Sequence, residues 1–432
     1  MDTNKLKQKI ELLERENHAL KKSLYELSTR YNAIPNPKPF AIGELLNSLD
    51  QVSSLFDKSD NEDNTRFVPR EKSKSFYQKY ELKGHIGAVY AVRFSPCGKY
   101  ISSGSFDRTV RIWDASGSSK ELHCLNGHGL NISDLSWSRC SSELLSGAYD
   151  LTCRTWDVEQ GKSIESFESD GFVQCVQFHP QDKNIFFSGT SRNILCITDR
   201  RQPSAAISLK NDSMVNTISV FQDGTHVLTG DAGGNIKTWD VRAAKCIQTY
   251  QNEPTKKPIS HIACCHTGIE EEPRYIAVNS YDNVMRVYDR GLSLPVSSYN
   301  LLHALKGYKN KNWPIRSSFF KRDVSSFGGR GSSTEDIIGK ADLPVESRDP
   351  LLFDKEKPID ITSLLATGSA DPYVYVYSIG DSEGTSELIQ KLEGHTDRVY
   401  DCHFHPHEPT LVTGSADFSV RIWSLSSRKR NK

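Results

Sequence analysis

Three histidines in this chain stand at one fixed distance from an aspartate and at a second fixed distance from a tryptophan. His395 precedes Asp417 by 22 positions and Trp423 by 28; the same intervals separate His85 from Asp107 and Trp113, and His128 from Asp150 and Trp156. Around each set run short segments of alternating apolar residues, such as Val110, Ile112 and Trp113, with glycines such as Gly98 and Gly104 between them. That alternation, punctuated by turn residues, is the pattern of half-buried β-strands.

These residues make the repeats resemble WD40 repeats, which recur every ~40–45 residues and carry Gly-His and Trp-Asp marks at the edges of one propeller blade. The resemblance implies an all-β, seven-bladed WD40 propeller. It also implies that His, a strand Ser or Thr, the turn Asp and the Trp form a hydrogen-bonded set that staples each blade. On that reading His85, Asp107 and Trp113 are structural, as are His128, Asp150 and Trp156, and His395, Asp417 and Trp423. A His bonded to an Asp is also half of a catalytic triad, but in a copy of a repeat the structural role is the expected one. The Trp-equivalent positions Trp113, Trp156, Thr198, Trp239, Tyr288, Tyr377 and Trp423 are separated by 43, 42, 41, 49, 89 and 46 residues, which counts seven blades. The long interval is read as an insertion, residues 321–357, rich in Gly, Ser and charge, between the first and second strands of blade six.

Ahead of the repeats, residues 1–31 carry a heptad register. Leu6, Leu13, Leu20 and Leu27 fall at d, and Ile10, Asn17, Leu24 and Tyr31 at a. Leu at d with a single Asn at a favours a parallel two-stranded coiled coil, so a homodimer held through Ile10, Leu13, Asn17, Leu20, Leu24 and Leu27 is expected. Residues 32–74 read as a linker containing a short amphipathic helix at 41–56. The propeller is expected over 75–425, followed by a basic tail at 426–432. Only short polar and basic residues follow Trp423 and Leu425, so the last blade lacks a fourth strand; Ser75–Leu82 is expected to fill that place and leave no open edge.

Composition limits the chemistry. Lys plus Arg and Asp plus Glu are both 54, so no net charge draws the chain to nucleic acid or to an anionic membrane. The first residues contain no apolar signal core, and an intracellular protein, cytoplasmic or nuclear, is expected. The 10 Cys contain no C-x-x-C pair, so neither a zinc site nor a disulfide framework is expected. Phosphate-loop, G-x-S-x-G and H-E-x-x-H signatures are missing, and no cofactor is expected. His403, His405 and His407 alternate, but His405-Pro406 matches His179-Pro180 as a recurring turn rather than a metal face.

What remains is recognition of protein or peptide partners. By the same resemblance, residues before the turn Asp and around the start of each first strand point to one face: Tyr90, Phe106, Tyr149, Phe172, Met214, Tyr281, Arg316, Arg398 and Tyr400. Tyr and Arg dominate interface energies, and blades one, two and seven adjoin once the ring closes, so a contiguous patch is expected there. A second signal is Thr198-Asp199-Arg200-Arg201 followed by Trp239-Asp240-Val241-Arg242. It resembles the tandem W-D-x-R boxes of cullin-RING ligase substrate receptors, which implies an adaptor contact through Arg201, Trp239, Asp240 and Arg242; Thr198 departs from the box. The layout of a helix before seven blades also resembles G-protein beta subunits.

Overall fold

A computed structural model of the chain describes residues 75–115, 120–202, 206–252, 254–265, 273–290, 299–321, 363–380 and 382–426. Apart from Lys321 and Ser426, the expected coiled coil, its dimerisation residues, the helix at 41–56, the insertion at 321–357 and the basic tail lie outside these residues.

Each repeat forms one four-stranded antiparallel sheet, and the seven sheets make a seven-bladed β-propeller. The innermost strands are Val89–Phe94, Ile132–Trp137, Val173–Phe178, Val215–Val220, Ile259–Cys265, Ser317–Lys321 and Val399–Phe404. The mouth at which these strands begin is called the upper face below. Those of blades one to five open on a β-branched residue that leaves no room for a side chain on the glycine of the preceding blade. A Cβ placed on Gly104 of blade one would come within 2.5 Å of Ile132 Cγ2 in blade two, and one on Gly414 of blade seven within 2.8 Å of Val89 Cγ1 in blade one. Glycine is needed at both places because the neighbouring blade's first β-branched side chain already fills the space.

Ring closure follows from the chain order of the last sheet. Ser75–Leu82 pairs antiparallel with Val420–Ser426, outside Thr410–Ser415 and Val399–Phe404, so residues near the start of the described chain complete the final blade. Phe76 and Leu82 are buried, and Gln390 of blade six brackets Phe76 from outside. Its Oε1 accepts from Phe76 N at 2.7 Å and its Nε2 donates to Phe76 O at 2.9 Å.

Side chains of the innermost strands also bond each blade to the next. Ser136 Oγ accepts from Phe178 N at 2.9 Å, Gln177 Oε1 from Val220 N at 3.1 Å, Ser318 Oγ from Phe404 N at 3.1 Å, and His403 Nδ1 from Phe94 N at 3.2 Å. Buried backbone N–H groups that have no partner on their channel side are satisfied this way.

Candidate interaction face and axial channel

The fixed intervals in the sequence become fixed hydrogen bonds. His85 Nδ1 lies 2.8 Å from Asp107 Oδ2, His85 Nε2 lies 2.7 Å from Ser103 Oγ, and Trp113 Nε1 donates to the same Oγ at 2.8 Å. His128, Asp150, Ser146 and Trp156 repeat this with 2.9, 2.7 and 2.8 Å, and His395, Asp417, Thr413 and Trp423 with 2.8, 2.8 and 2.9 Å. Burial would raise Asp107, Asp150 and Asp417, but hydrogen bonds headed by those from His85, His128 and His395 hold each well below the usual carboxylate range. Blade four does the same work with other residues. Where Gly233 replaces the usual aspartate, Asp231, 0% exposed, accepts from Asn211 Nδ2 at 3.1 Å, Gly233 N at 2.9 Å and Asn235 N at 2.8 Å. These sets hold the upper turns still, which is what a recognition surface requires.

Ala91, Asp134, Cys175, Thr217, His261 and Asp401 occupy the third position of six innermost strands, and in blade six Arg316, immediately before Ser317–Lys321, takes the equivalent place. Four charges meet here. Arg93 Nη1 donates to Asp401 Oδ2 at 2.5 Å and its Nη2 to Asp134 Oδ1 at 3.4 Å, while Arg316 Nη1 donates to Asp134 Oδ1 and its Nη2 to Ser133 O at 2.9 Å. Both carboxylates also cap a neighbouring blade, Asp401 taking Val92 N at 2.8 Å and Asp134 taking Val176 N at 3.0 Å. Below this cluster the channel encloses about 860 Å³, lined by Gln177, Asn216, His261 and His403 among others.

Arg316 was expected on the upper face and is instead 5% exposed, committed to this cluster. The reason is register. Gly368 N donates to Arg316 O at 3.1 Å, the place that Gly414 takes opposite Asp401, so Arg316 aligns with Asp401. Tyr400 is likewise inward, 2% exposed, with Tyr90 at 4.8 Å and Trp313 at 5.7 Å between ring centroids. It supports the surface from beneath rather than forming it.

The other expected positions do reach that surface. Phe106 is 60% exposed and Phe172 48%, while Tyr90, Tyr149, Met214, Tyr281 and Arg398 are half-buried. Tyr149 packs on Phe172 at 5.5 Å, and the Arg398 guanidinium lies over the Trp313 ring at 4.4 Å. Two groups therefore form, Tyr149 with Phe172 and Tyr90 with Tyr400, Trp313 and Arg398. Trp313 lies in an irregular loop and matches no repeat mark.

Elsewhere, Arg201 and Arg242 are both exposed just past the third strands of adjacent blades, at the mouth opposite the upper face. Arg201 Nε and Nη2 donate to its own Asp199 at 2.9 and 2.8 Å. Asp240 Oδ1 accepts from Ala243 N at 2.8 Å, and Trp239 is buried with its Nε1 on Thr229 Oγ1 at 2.9 Å, so these two act within the blade. Among the described residues no group of three metal-ligating side chains is placed to hold an ion, and no helix is long and apolar enough to cross a membrane.

Two partly buried histidines of the channel make stability pH-dependent. Burial, then Arg93 and His405, push His403 down to about 3, and burial followed by Arg316 and Arg93 holds His261 well below its ordinary value. The folded state thus binds fewer protons than the unfolded chain, in which His titrates near ~6.5. Their contribution is complete above about pH 6.5 and is lost as pH falls. Asp401, raised by burial against Arg93 and Arg316, opposes this in part. The thermal midpoint is expected to drop between pH 7.5 and 5, and His403→Asn, which retains an acceptor for Phe94 N, to flatten that slope. Equal slopes in the two proteins would contradict the assignment.

Comparison with known proteins comes to the same architecture. The family model described as WD domain, G-beta repeat (WD40) matches residues 76–114, 119–157, 205–240 and 386–424, which are blades one, two, four and seven. The chain is 24% identical over 378 residues to a WD repeat domain-containing protein 83 homolog of Dictyostelium discoideum, covering 80% of this chain and 97% of that protein. It is 25% identical over 361 residues to the pre-mRNA-splicing factor cwf17 of Schizosaccharomyces pombe, covering 80% and 87%. Among solved structures, the beta-propeller domain of Cps50 (Swd1) of Myceliophteria thermophila matches with a TM-score of 0.62 at 21% identity, over 82% of this chain and 100% of that one. A likeness at that identity speaks for the fold alone.

Proposed function

This chain is a WD40-repeat propeller, and from that premise we propose that it is a non-catalytic scaffold presenting its upper face to protein or peptide partners. The observation that carries the reading is the exposure of large aromatics on bonded turns: Phe106, beside the His85–Asp107 pair, and Phe172, whose N–H donates to Ser191 Oγ at 3.0 Å, stand in water although each is held by a backbone bond to its blade. Exposed aromatics on a preorganised surface cost little entropy on binding. Tyr90, Tyr149, Tyr281, Arg398 and Trp313 extend this surface. The name of the fission yeast relative supports a place among splicing components, hence the nucleus.

Two copies of the face on one parallel coil would bind a divalent partner more tightly than either alone, by effective concentration. Light scattering on the full chain and on Asn17→Leu distinguishes a homodimer from a monomer. A second reading, adaptor binding in a ubiquitin ligase, is favoured by one observation, the exposure of Arg201 and Arg242 on adjacent blades at the opposite mouth.

The test is affinity capture with wild type, Phe106→Ala with Phe172→Ala, and Arg201→Ala with Arg242→Ala. Partners are expected to be lost from the aromatic pair and kept by the arginine pair. Equal recovery from wild type and the aromatic pair contradicts the scaffold face; loss of ligase components from the arginine pair alone selects the second reading.

A further inference from the structure

One sector of the upper face differs from the rest in charge. The loop into blade five, residues 252–258, and the loop into blade six, residues 306–316, contain Lys256, Lys257, Lys306, Lys309 and Lys311, against Glu253 as their single acidic residue. All five lysines are exposed, and among the described residues none of them is in an ion pair. The chain as a whole has a formal net charge of +0, so this concentration is local.

The two loops are fastened to the same turn, Ser280–Val284 of blade five. Tyr281 N donates to Pro258 O at 3.0 Å and Thr255 Oγ1 to Asp282 Oδ2 at 2.6 Å on one side; Asn310 N donates to Asn283 Oδ1 at 2.6 Å on the other. Carboxylates of the adjoining turns bond to other groups. Asp282 takes Arg286 Nη2 at 2.6 Å, Asp371 takes Tyr375 Oη at 3.0 Å, and Asp397 takes Arg398 Nε at 3.1 Å. Among the described residues these ammonium groups therefore make no ion pair, and they stand on loops that are bonded in place.

We propose that this sector, Lys256, Lys257, Lys306, Lys309 and Lys311 around the Ser280–Val284 turn, is the docking site for an acidic segment of a partner protein. The proposal rests on the scaffold reading above and names the chemistry of its partner. Charge complementarity carries it: uncompensated cations on a neutral protein raise the local concentration of anionic chains and speed their encounter. A protein segment fits better than single-stranded nucleic acid, which relies on free aromatic faces for stacking. The one Trp of the sector, Trp313, has its ring face under the Arg398 guanidinium and Tyr400 against it at 60°, so it offers no free stacking platform.

The experiment uses the full chain and three fluorescent probes: a short peptide rich in Asp and Glu with interspersed Leu, the same peptide with Lys for each acid, and an oligouridylate of equal charge. The acidic peptide is expected to bind, more weakly as salt rises. Binding is expected to fall about tenfold in a variant with Gln at Lys256, Lys257, Lys309 and Lys311, and to return when those four positions are Arg. Lys99→Gln with Lys162→Gln, at the opposite mouth, is expected to bind as wild type. No binding of the acidic peptide, unchanged binding by the Gln variant, or tighter binding of the oligouridylate that the Gln variant loses, each overturns the proposal. The aromatic capture experiment is independent: retention of the aromatic-dependent partners by the Gln variant leaves the scaffold face standing while this sector fails.

Discussion

Replacement of Asp401 by alanine is expected to lower the unfolding free energy by about 3–5 kcal/mol, the range for removing one partner of a buried ion pair. Asp401 is 0% exposed, and its loss leaves Arg93 and Arg316 to share one carboxylate, Asp134. It also strips Val92 N of its acceptor. The effect is large because of where the cluster sits: Arg316 belongs to blade six, Asp401 to blade seven, Arg93 to blade one and Asp134 to blade two, so the four charges span the seam at which the ring closes. Asp401→Asn keeps an oxygen for Val92 N and is expected to cost less. Urea unfolding of wild type and both variants measures this; an Asp401→Ala midpoint within error of wild type would remove the cluster from the account of stability.

Deletion of Ser75–Leu82 is expected to have a still larger effect, driving the protein to aggregate. The strand makes seven residue pairs with Val420–Ser426 and buries Phe76 and Leu82. Those two side chains contribute about 1.5–3 kcal/mol each, and each ladder hydrogen bond about 1 kcal/mol. Without them Val420–Ser426 becomes an unprotected edge, open to pairing with another chain. Size-exclusion chromatography with light scattering is expected to show higher-order mass, and a synthetic peptide of the missing strand, supplied during refolding, to restore the wild-type elution. A deletion variant of wild-type mass and midpoint would mean that the ring closes without the strand.

The blades and their closure were legible in the sequence because they rest on local spacing: an interval of 22 between His and Asp and of 28 between His and Trp is imposed by hydrogen bonds that every good copy must make. The interior of the channel was not, for a reason also physical. A single bulge follows the first residue of most innermost strands, as between Val399 and Asp401, and it sets which residues turn inward. Setting Arg316 beside Arg398 misplaces it by three residues, from the channel to the face. Asp134 and Asp401 carry a signal that could have been found, acids amid apolar strand residues, which require a buried cationic partner. Trp313 carries none, since loops between blades obey no period. Tyr400 reads as a surface aromatic until Tyr90 and Trp313 are seen to cover it. Asp231 escaped notice because its blade moved the aspartate two residues ahead of the usual place and exchanged His for Asn211.

The scaffold face is tested most directly by mapping contacts in a native complex. After capture on wild-type protein, a cross-linker joining amines to carboxylates reports which lysines approach a partner. The account predicts cross-links from the upper face, at Lys83, Lys256, Lys257, Lys309 and Lys311, and their loss in the Phe106→Ala, Phe172→Ala variant. Cross-links confined to Lys99, Lys162 and Lys183 at the opposite mouth would contradict it.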